Sequence, residues 1–351
     1  MFFAARSHFF CVEIGEQSTL LARFTRAGEI TVIQELKELP TVDNTGAIAE
    51  WVKGNAGRGS TGYAHAICGI YPAKRVIRRQ TVDLKRLKDP VYFNEIYAQQ
   101  FRLDPEKYTM KALNPMDGLD YDAGKGAQKE VLFAGLPSDE IIAAQEKLLA
   151  QGIYPERLEL GTLALLGGMT NYLQFKQIQS PLLLLEIGEE LTQSYILRAD
   201  GVDSSRPIPS GIAAMVPVVQ KELSLKDEES ARKLFYSNTF DFTALGGTLI
   251  NKLLKELQSS IGFYEVQTGQ SIGHVYCTQL PSSLAWLGAA LAGALGVAPL
   301  KIDLRPWLDS LNIKLAEGVR PNPPGENWAG LFSLIASYQP NGVQSITGEK
   351  K

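Results

Sequence analysis

An α/β protein built from two related halves is the fold class this sequence predicts, and three observations predict it. A stretch near the start recurs half a chain later. Short apolar strands alternate with amphipathic helices. The chain has 351 residues, 45% hydrophobic and 21% charged, enough to fill roughly two or three cores of about 150 residues each. The repeat weighs most. Glu13-Ile14-Gly15-Glu16 and Thr19 recur as Glu186-Ile187-Gly188-Glu189 and Thr192 at a constant offset, 186 − 13 = 173, and Gly28 falls on Gly201 at the same offset. Each copy ends an apolar strand, Phe9 to Ile14 or Leu182 to Ile187, in an acid-X-Gly turn before a further strand. Each half therefore opens with a hairpin.

After the first hairpin, Ala64 to Ile70 reads as an apolar strand, and Val76-Ile77 and Val82 lie in an extended basic stretch. Asp89 to Phe101 carries Val91, Phe93, Ile96, Tyr97 and Phe101 at near-helical spacing, and Val131 to Ala134 is a short strand. Ser138 and Asp139 are placed to cap a helix from Glu140 to Gln151, which Gly152 and Pro155 stop. A second helix runs from Glu159 to Tyr172 and leads to Pro181, the joint between the halves. Beyond it, Lys226 to Phe235 is a short charged helix, and Thr248 to Val266 is a long one with Leu249, Leu253, Leu257 and Ile261 on one stripe. His274 to Thr278 is a strand, and Asn327 to Tyr338 is a last helix before a frayed tail, 339 to 351. Leu284 to Leu300 has seventeen consecutive uncharged residues, the lower limit of a membrane span. Its alanines and glycines, Ser282 and Ser283 as N-caps and Gly296 with Pro299 as a stop predict a buried helix of a soluble protein instead.

Thirty-five basic and thirty-eight acidic residues leave a net charge of −3, so no global field recruits nucleic acid or a membrane. Cys11, Cys68 and Cys277 are far apart in apolar runs and read as buried thiols of a reducing compartment. Arg6, Ser7 and His8 interrupt the apolar start, which therefore lacks the core of a signal peptide and points to the cytoplasm. His8, His65 and His274 have no metal-ligand spacing and no evident nucleophile. Gly167-Gly168 and Gly246-Gly247 lack a dinucleotide-loop context and read as helix packing and helix-start signals. Asp117-Gly118 and Asp122 to Gly126 read as turns.

In order and spacing these pieces resemble the actin-like ATPase superfamily, and within it the PilM-type assembly proteins of type IV pili, relatives of FtsA. The two acid-X-Gly turns match that superfamily's phosphate loops. Ile70-Tyr71-Pro72 followed by Arg75-Val76-Ile77-Arg78-Arg79 is similar to the PilM strand that ends in proline before a basic stretch. Phe93-Asn94-Glu95-Ile96 through Gln100-Phe101 resembles its acidic-aromatic helix, and Ile141 to Gly152 and Leu158 to Leu166 resemble its helix, turn and crossing helix. Leu253 to Gln267 is similar to its long second-half helix. The resemblance implies a duplicated, ribonuclease H-like fold of two lobes: 1–180 with an inserted subdomain at about 71–134, and 181–338 with an insert at about 220–247.

The family grips ATP between its lobes, with backbone N–H groups of both turns on the phosphates and the turn acids serving Mg²⁺. By that resemblance Glu13, Gly15, Ser18, Thr19, Glu186, Gly188 and Thr192 are the relic cofactor-binding positions. Their chemistry is poor for the task. Glu13 and Glu186 reach one methylene further than aspartate, and Glu16 and Glu189-Glu190 stand where small or hydroxyl residues belong. A carboxylate about 4 Å from a phosphate charge is repelled by roughly 4 kcal/mol at an effective dielectric near 20. The adenosine-side glycines are replaced by Gln279-Leu280-Pro281, and the following Pro-Gly by Ala285-Trp286. The expectation is a degenerate nucleotide site, no cofactor and no catalysis.

Binding surfaces then carry the function. Tyr71 to Lys88 holds seven basic residues, Lys74, Arg75, Arg78, Arg79, Lys85, Arg86 and Lys88, against Asp83 alone. PilM-like proteins bind the cytoplasmic tail of the membrane protein PilN beside this subdomain, so the resemblance implies a partner surface of Arg75, Val76, Ile77, Arg78 and Arg79, with Tyr97 and Phe101 as pocket walls. The expected protein is a cytoplasmic scaffold, peripheral at the inner membrane, that joins a PilN-like tail to other components of a pilus or type II secretion-like assembly. Self-association stays open, and nucleic acid is not expected. The alternative is a working Mg-ATPase that polymerises as actin relatives do.

Overall fold

Both acid-X-Gly repeats end the first strand of a hairpin, and each hairpin seeds a sheet. The computed structural model describes residues 8–16, 18–40, 45–55, 62–124, 128–237, 239–322 and 326–338. In the first half the chain runs through β1 (Phe9–Ile14), β2 (Ser18–Ala27), β3 (Ile30–Pro40), α1 (Thr45–Asn55), β4 (Ala64–Ile70), β5 (Val76–Thr81) and α2 (Tyr92–Glu95). A π-helical turn, Ile96–Gln100, then leads to β6 (Tyr108–Leu113), β7 (Glu130–Pro137), α3 (Ser138–Ala150), β8 (Ile153–Leu160) and α4 (Gly161–Lys176). The second half holds β9 (Leu182–Ile187), β10 (Thr192–Arg198), β11 (Gly201–Ile208), α5 (Val216–Glu222), α6 (Glu228–Tyr236), α7 (Gly246–Leu249), α8 (Asn251–Thr268) and β12 (His274–Thr278). Last come α9 (Trp286–Leu295), β13 (Ala298–Pro299), α10 (Leu304–Ser310), β14 (Ile313–Leu315) and α11 (Ala329–Ser337).

Duplication is visible in the sheets. Among the described residues the first sheet has the order β14-β3-β2-β1-β4-β8 and the second β11-β10-β9-β12-β13. In both, the first strand pairs antiparallel with the second and parallel with the fourth. Even the irregularities correspond. The pairing register shifts between Arg23 and Phe24 in the first sheet and between Ile196 and Leu197 in the second, again 196 − 23 = 173. Alternation along β1 sends Phe10 and Val12 to a core with Ile48 and Trp51 of α1 and Leu148 of α3, and sends Cys11 to Leu331 and Phe332 of α11. The second sheet is likewise covered on both faces. Leu183, Leu185 and Ile187 meet α5, α8 and α9, while Leu182, Leu184 and Tyr195 meet Leu165, Met169 and Tyr172 of α4. Helices α4 and α11 thus lie between the sheets, and their close contact depends on Gly168: a Cβ there would collide with Ser333.

Several expectations change. The helix predicted from Glu159 begins at Gly161, because Glu159 and Leu160 finish β8, whose Pro155 is tolerated at the sheet edge. Helix α3 starts at Ser138 with Pro137 as N-cap and no side-chain cap, so Ser138 and Asp139 do not cap it. The helix expected over Thr248–Val266 is two, α7 and α8, broken at Ile250. Leu284–Leu300 yields only α9, with Leu287, Leu291 and Ala292 buried and Ala289, Gly293 and Ala294 exposed; its N-cap is Ala285 rather than Ser282 or Ser283. No described helix is long and apolar enough to cross a membrane. The segment 71–134 carries its own sheet, β5-β7-β6. Among the described residues the expected second insert has no such sheet, and its Ala231, Phe235 and Phe242 join the main second-half core. Residues assigned by the repeat to the second half return to the first: β14 pairs with β3, and α11 packs on β1 and β4. Residues 339–351 and Lys125 and Gly126 lie outside the described residues.

Candidate functional site

The two acid-X-Gly turns close identically and meet face to face. Gly15 N–H donates to Ser18 O at 3.0 Å, and Gly188 N–H donates to Leu191 O at 3.0 Å. Glu16 then crosses the gap. Its Oε2 accepts the backbone N–H of Glu189, its counterpart in the repeat, at 2.9 Å. A Cβ on Gly188 would stand 2.8 Å from Glu16 Oε1, so bare backbone admits the carboxylate. From the other side Gln279, left-handed at φ 62°, puts its amide oxygen where a Cβ on Gly15 would be. The Glu189 carboxylate points elsewhere, bonded by Arg232 and Tyr236 of α6.

Behind the turns both acids are buried, Glu13 at 3% and Glu186 at 1% exposure. Tyr71 donates its hydroxyl to Glu13 Oε1 at 2.5 Å, and Leu331 N–H in the first turn of α11 also donates to this carboxylate. Burial pushes the Glu13 carboxyl up to about 7; the Tyr71 bond opposes the shift and the nearby Glu186 adds to it. Glu186 Oε2 accepts from Arg75 Nη2 at 2.7 Å and from Thr162 Oγ1 at 2.9 Å, while Arg75 Nε donates to Thr162 at 3.0 Å. Burial works against the Arg75 charge, but Glu186 beside it more than offsets this and holds the guanidinium firmly protonated. Small cavities adjoin the turns. One of about 20 Å³ is lined by Glu13, Gly15, Ser18 and Gln279, and one of about 10 Å³ by Glu16, Arg75, Glu186 and Gly188. Each is about the size of one water, whereas small-molecule pockets run to roughly 300–1,000 Å³.

The basic strand β5 faces inward. Arg79 bonds Val202 O at 2.6 Å and Asp203 Oδ1 at 2.9 Å, and its backbone N–H donates to Ser205 Oγ at 3.2 Å, which ties β5 to β11. Ile77 is core, Val76 and Arg78 are half-buried, and burial lowers the Arg78 pKa. Tyr97 and Phe101 pack around Phe133 with ring centroids 5.4 and 5.7 Å away, a satellite core that also includes Tyr92 and Ile96. Lys74, Lys85 and Lys88 are exposed. A larger open space lies between this segment and the helices behind it: a groove of about 680 Å³, lined by Leu113, Met116, Leu163, Gly167, Asn171 and Trp307 among others. Arg157 and Glu159, paired at 2.7 Å, stand in its wall.

No protein-family model matches the chain, and no curated protein matches it. Among solved structures, a PilM–PilN type IV pilus biogenesis complex aligns over 94% of this chain and 99% of that chain, at 18% identity and a TM-score of 0.66. The chain has the fold of PilM. Lower-scoring likenesses include a Bacteroides thetaiotaomicron protein with an actin-like ATPase fold and unknown function, at 10% identity over 94% and 96% of the two chains with a TM-score of 0.46. The cytoplasmic domain of EpsL, an inner membrane component of the Vibrio cholerae type II secretion system, aligns over 95% and 96% at 9% identity and a TM-score of 0.43.

On this fold Glu13, Gly15 and Ser18 line one small cavity and Glu186 and Gly188 line another, with Gln279 in the wall of both. Thr19 is buried in β2, and Thr192 gives its hydroxyl to Ser210 O at 2.7 Å, so neither points an unused hydroxyl at the turns. The expected partner surface needs correcting. Arg75, Ile77 and Tyr97 are buried and cannot receive a partner, and Arg79 is spent on the second sheet. Sequence reasoning missed Tyr71, Thr162, Arg232 and Tyr236, whose roles depend on contacts across 24 residues (Thr162 and Glu186), 43 (Arg232 and Glu189), 47 (Tyr236 and Glu189) and 58 (Tyr71 and Glu13). For Gln279 a signal existed, since a long amide replaces an expected glycine.

Proposed function

We propose that this chain is a non-enzymatic scaffold of a pilus or type II secretion-like assembly, held at the cytoplasmic face of an inner membrane by the tail of a PilN-like protein. The observation that carries this is the contrast in open space. The nucleotide cleft of the fold is packed by the chain's own Glu16, Arg75 and Gln279, while the groove between the 71–134 segment and α4 stays open at about 680 Å³. A short extended tail suits that groove: apolar Leu113, Met116, Leu163 and Trp307 offer side-chain contacts, and Asn171 and Gln174 offer amides for a peptide backbone. The degenerate turns, the two-lobed division and further assembly partners belong to the same reading, with the groove in place of the basic strand as the docking site.

The test is a titration of the full chain with a fluorescent peptide of a PilN cytoplasmic tail. Gly167 lines the groove and a Cβ there meets nothing within 4 Å, so Gly167→Leu adds apolar bulk to the groove wall from a position with room at its first carbon. Micromolar binding by the wild type and at least tenfold weaker binding by Gly167→Leu is the expected result. Equal binding by both would move the docking site elsewhere.

A further inference from the structure

Resting on the reading of the cleft as closed to nucleotide, we propose that the second acid-X-Gly turn is an anion site whose resident ligand is the chain's own Glu16 carboxylate, with Arg75 as the matching internal cation. An oxyanion bound to a hairpin turn is held by backbone N–H groups and needs a residue without Cβ where it approaches. Glu16 meets both requirements. Its Oε2 takes the Glu189 N–H at 2.9 Å, and its two carboxylate oxygens would lie 2.8 and 3.0 Å from a Cβ on Gly188.

The arrangement is one-sided, which separates it from a chance contact of two alike turns. Glu16 and Glu189 are counterparts in the repeat, yet only Glu16 crosses. Glu189 is turned outward and anchored by Arg232 and Tyr236, which frees its backbone N–H to face Glu16 and ties α6 to the same turn. Arg75 lines the same small cavity as Glu16, and its positive charge is taken up by Glu186. Its guanidinium bonds Glu186 at 2.7 Å and reaches Thr162, with side-chain exposures of 5% and 1% for the ion pair. A carboxylate on the turn and a guanidinium on the turn's acid bridge the two halves with no external ligand. The class of molecule able to compete for the turn is a small oxyanion, such as inorganic phosphate or a carboxylate.

The experiment uses the full chain and Glu16→Ala, which empties the turn while leaving Arg75 and Glu186 paired. Amide hydrogen exchange over 186–192 is followed without added anion, with 50 mM inorganic phosphate, with 50 mM acetate, and with chloride at matched ionic strength. In Glu16→Ala these amides are expected to exchange at least tenfold faster than in the wild type. Phosphate or acetate should recover most of that protection, chloride should not, and the wild type should respond to none of them. Unchanged exchange in Glu16→Ala, or equal anion responses in both proteins, overturns the proposal. Glu16→Gln keeps shape and one acceptor while removing charge; exchange at least threefold faster than the wild type is expected, and it is the readout if the alanine variant does not fold. A wild-type chain that binds Mg-ATP at micromolar concentration overturns the closed-cleft reading itself, whereas absent anion rescue with no ATP binding overturns only the tethered ligand.

Discussion

The cleft between the turns and the groove beside the 71–134 segment share one helix, α4, yet one is packed and the other open. Thr162 on the first turn of α4 bonds Glu186 inside the cleft. Five residues later Gly167 presents bare backbone to the groove, and Gly168 beside it is pressed against Ser333 of α11. The difference is one of charge and side-chain length. The cleft is filled by long polar residues that reach into the other half, whereas the groove combines small and apolar residues with polar ones such as Arg157, Glu159, Asn171 and Gln174 and stays open. The space between the turns is taken up by the chain's own Glu16, Arg75 and Gln279, while the groove stays open at about 680 Å³.

Breaking the cleft should have the largest effect. Arg75→Ala leaves Glu186 buried without its cation and is expected to destabilise the chain by about 3–5 kcal/mol, measured by urea unfolding. Replacing both partners, Arg75→Met with Glu186→Leu, should recover most of that loss, because the desolvation penalty leaves with the charges. A double variant as unstable as Arg75→Ala would mean that the pair holds the halves together in a way apolar packing cannot replace.

Next in size is pH. The Glu13 carboxyl sits at about 7 in the fold against its ordinary 4.5, raised chiefly by burial. Below about pH 4.5 the group is protonated whether the chain is folded or unfolded and shifts nothing. Between about 4.5 and 7 the unfolded chain releases this proton and the folded chain keeps it, so stability falls as pH rises, by about 3 kcal/mol in all at 1.36 kcal/mol per pKa unit. Glu13→Gln should remove that part of the decline between pH 5 and pH 8. A variant with the same slope as the wild type would assign the pH dependence to another group. The smallest effect belongs to the groove. Gly167→Leu should change stability by no more than about 1 kcal/mol, since a Cβ at this position meets nothing within 4 Å and leucine favours a helix over glycine by about that amount.

Much of this comparison was legible before any coordinates. The constant offset located both turns, and the glutamates at 16 and 189 raised the expectation of a degenerate phosphate site. What the sequence could not disclose was where those carboxylates go. A basic run such as Arg75 to Arg79 reads as an exposed partner surface because its acid partners, Glu186 and Asp203, lie 111 and 124 residues away. Tyr97 and Phe101 could line a pocket or fill a core at the same helical spacing, and only Phe133 on β7 decides between the two. The return of β14 to β3 has no local signal at all: Ile313–Leu315 is a three-residue strand whose pairing partner is 282 positions earlier, 313 − 31.

Calorimetric titration of the wild-type chain with ATP and Mg²⁺ tests the central claim most directly. Cavities of about 20 and 10 Å³, with Glu16 already on the second turn, predict no binding tighter than about 100 μM. A dissociation constant of a few micromolar would show that the cleft opens readily to nucleotide, and would contradict the scaffold held closed by its own side chains.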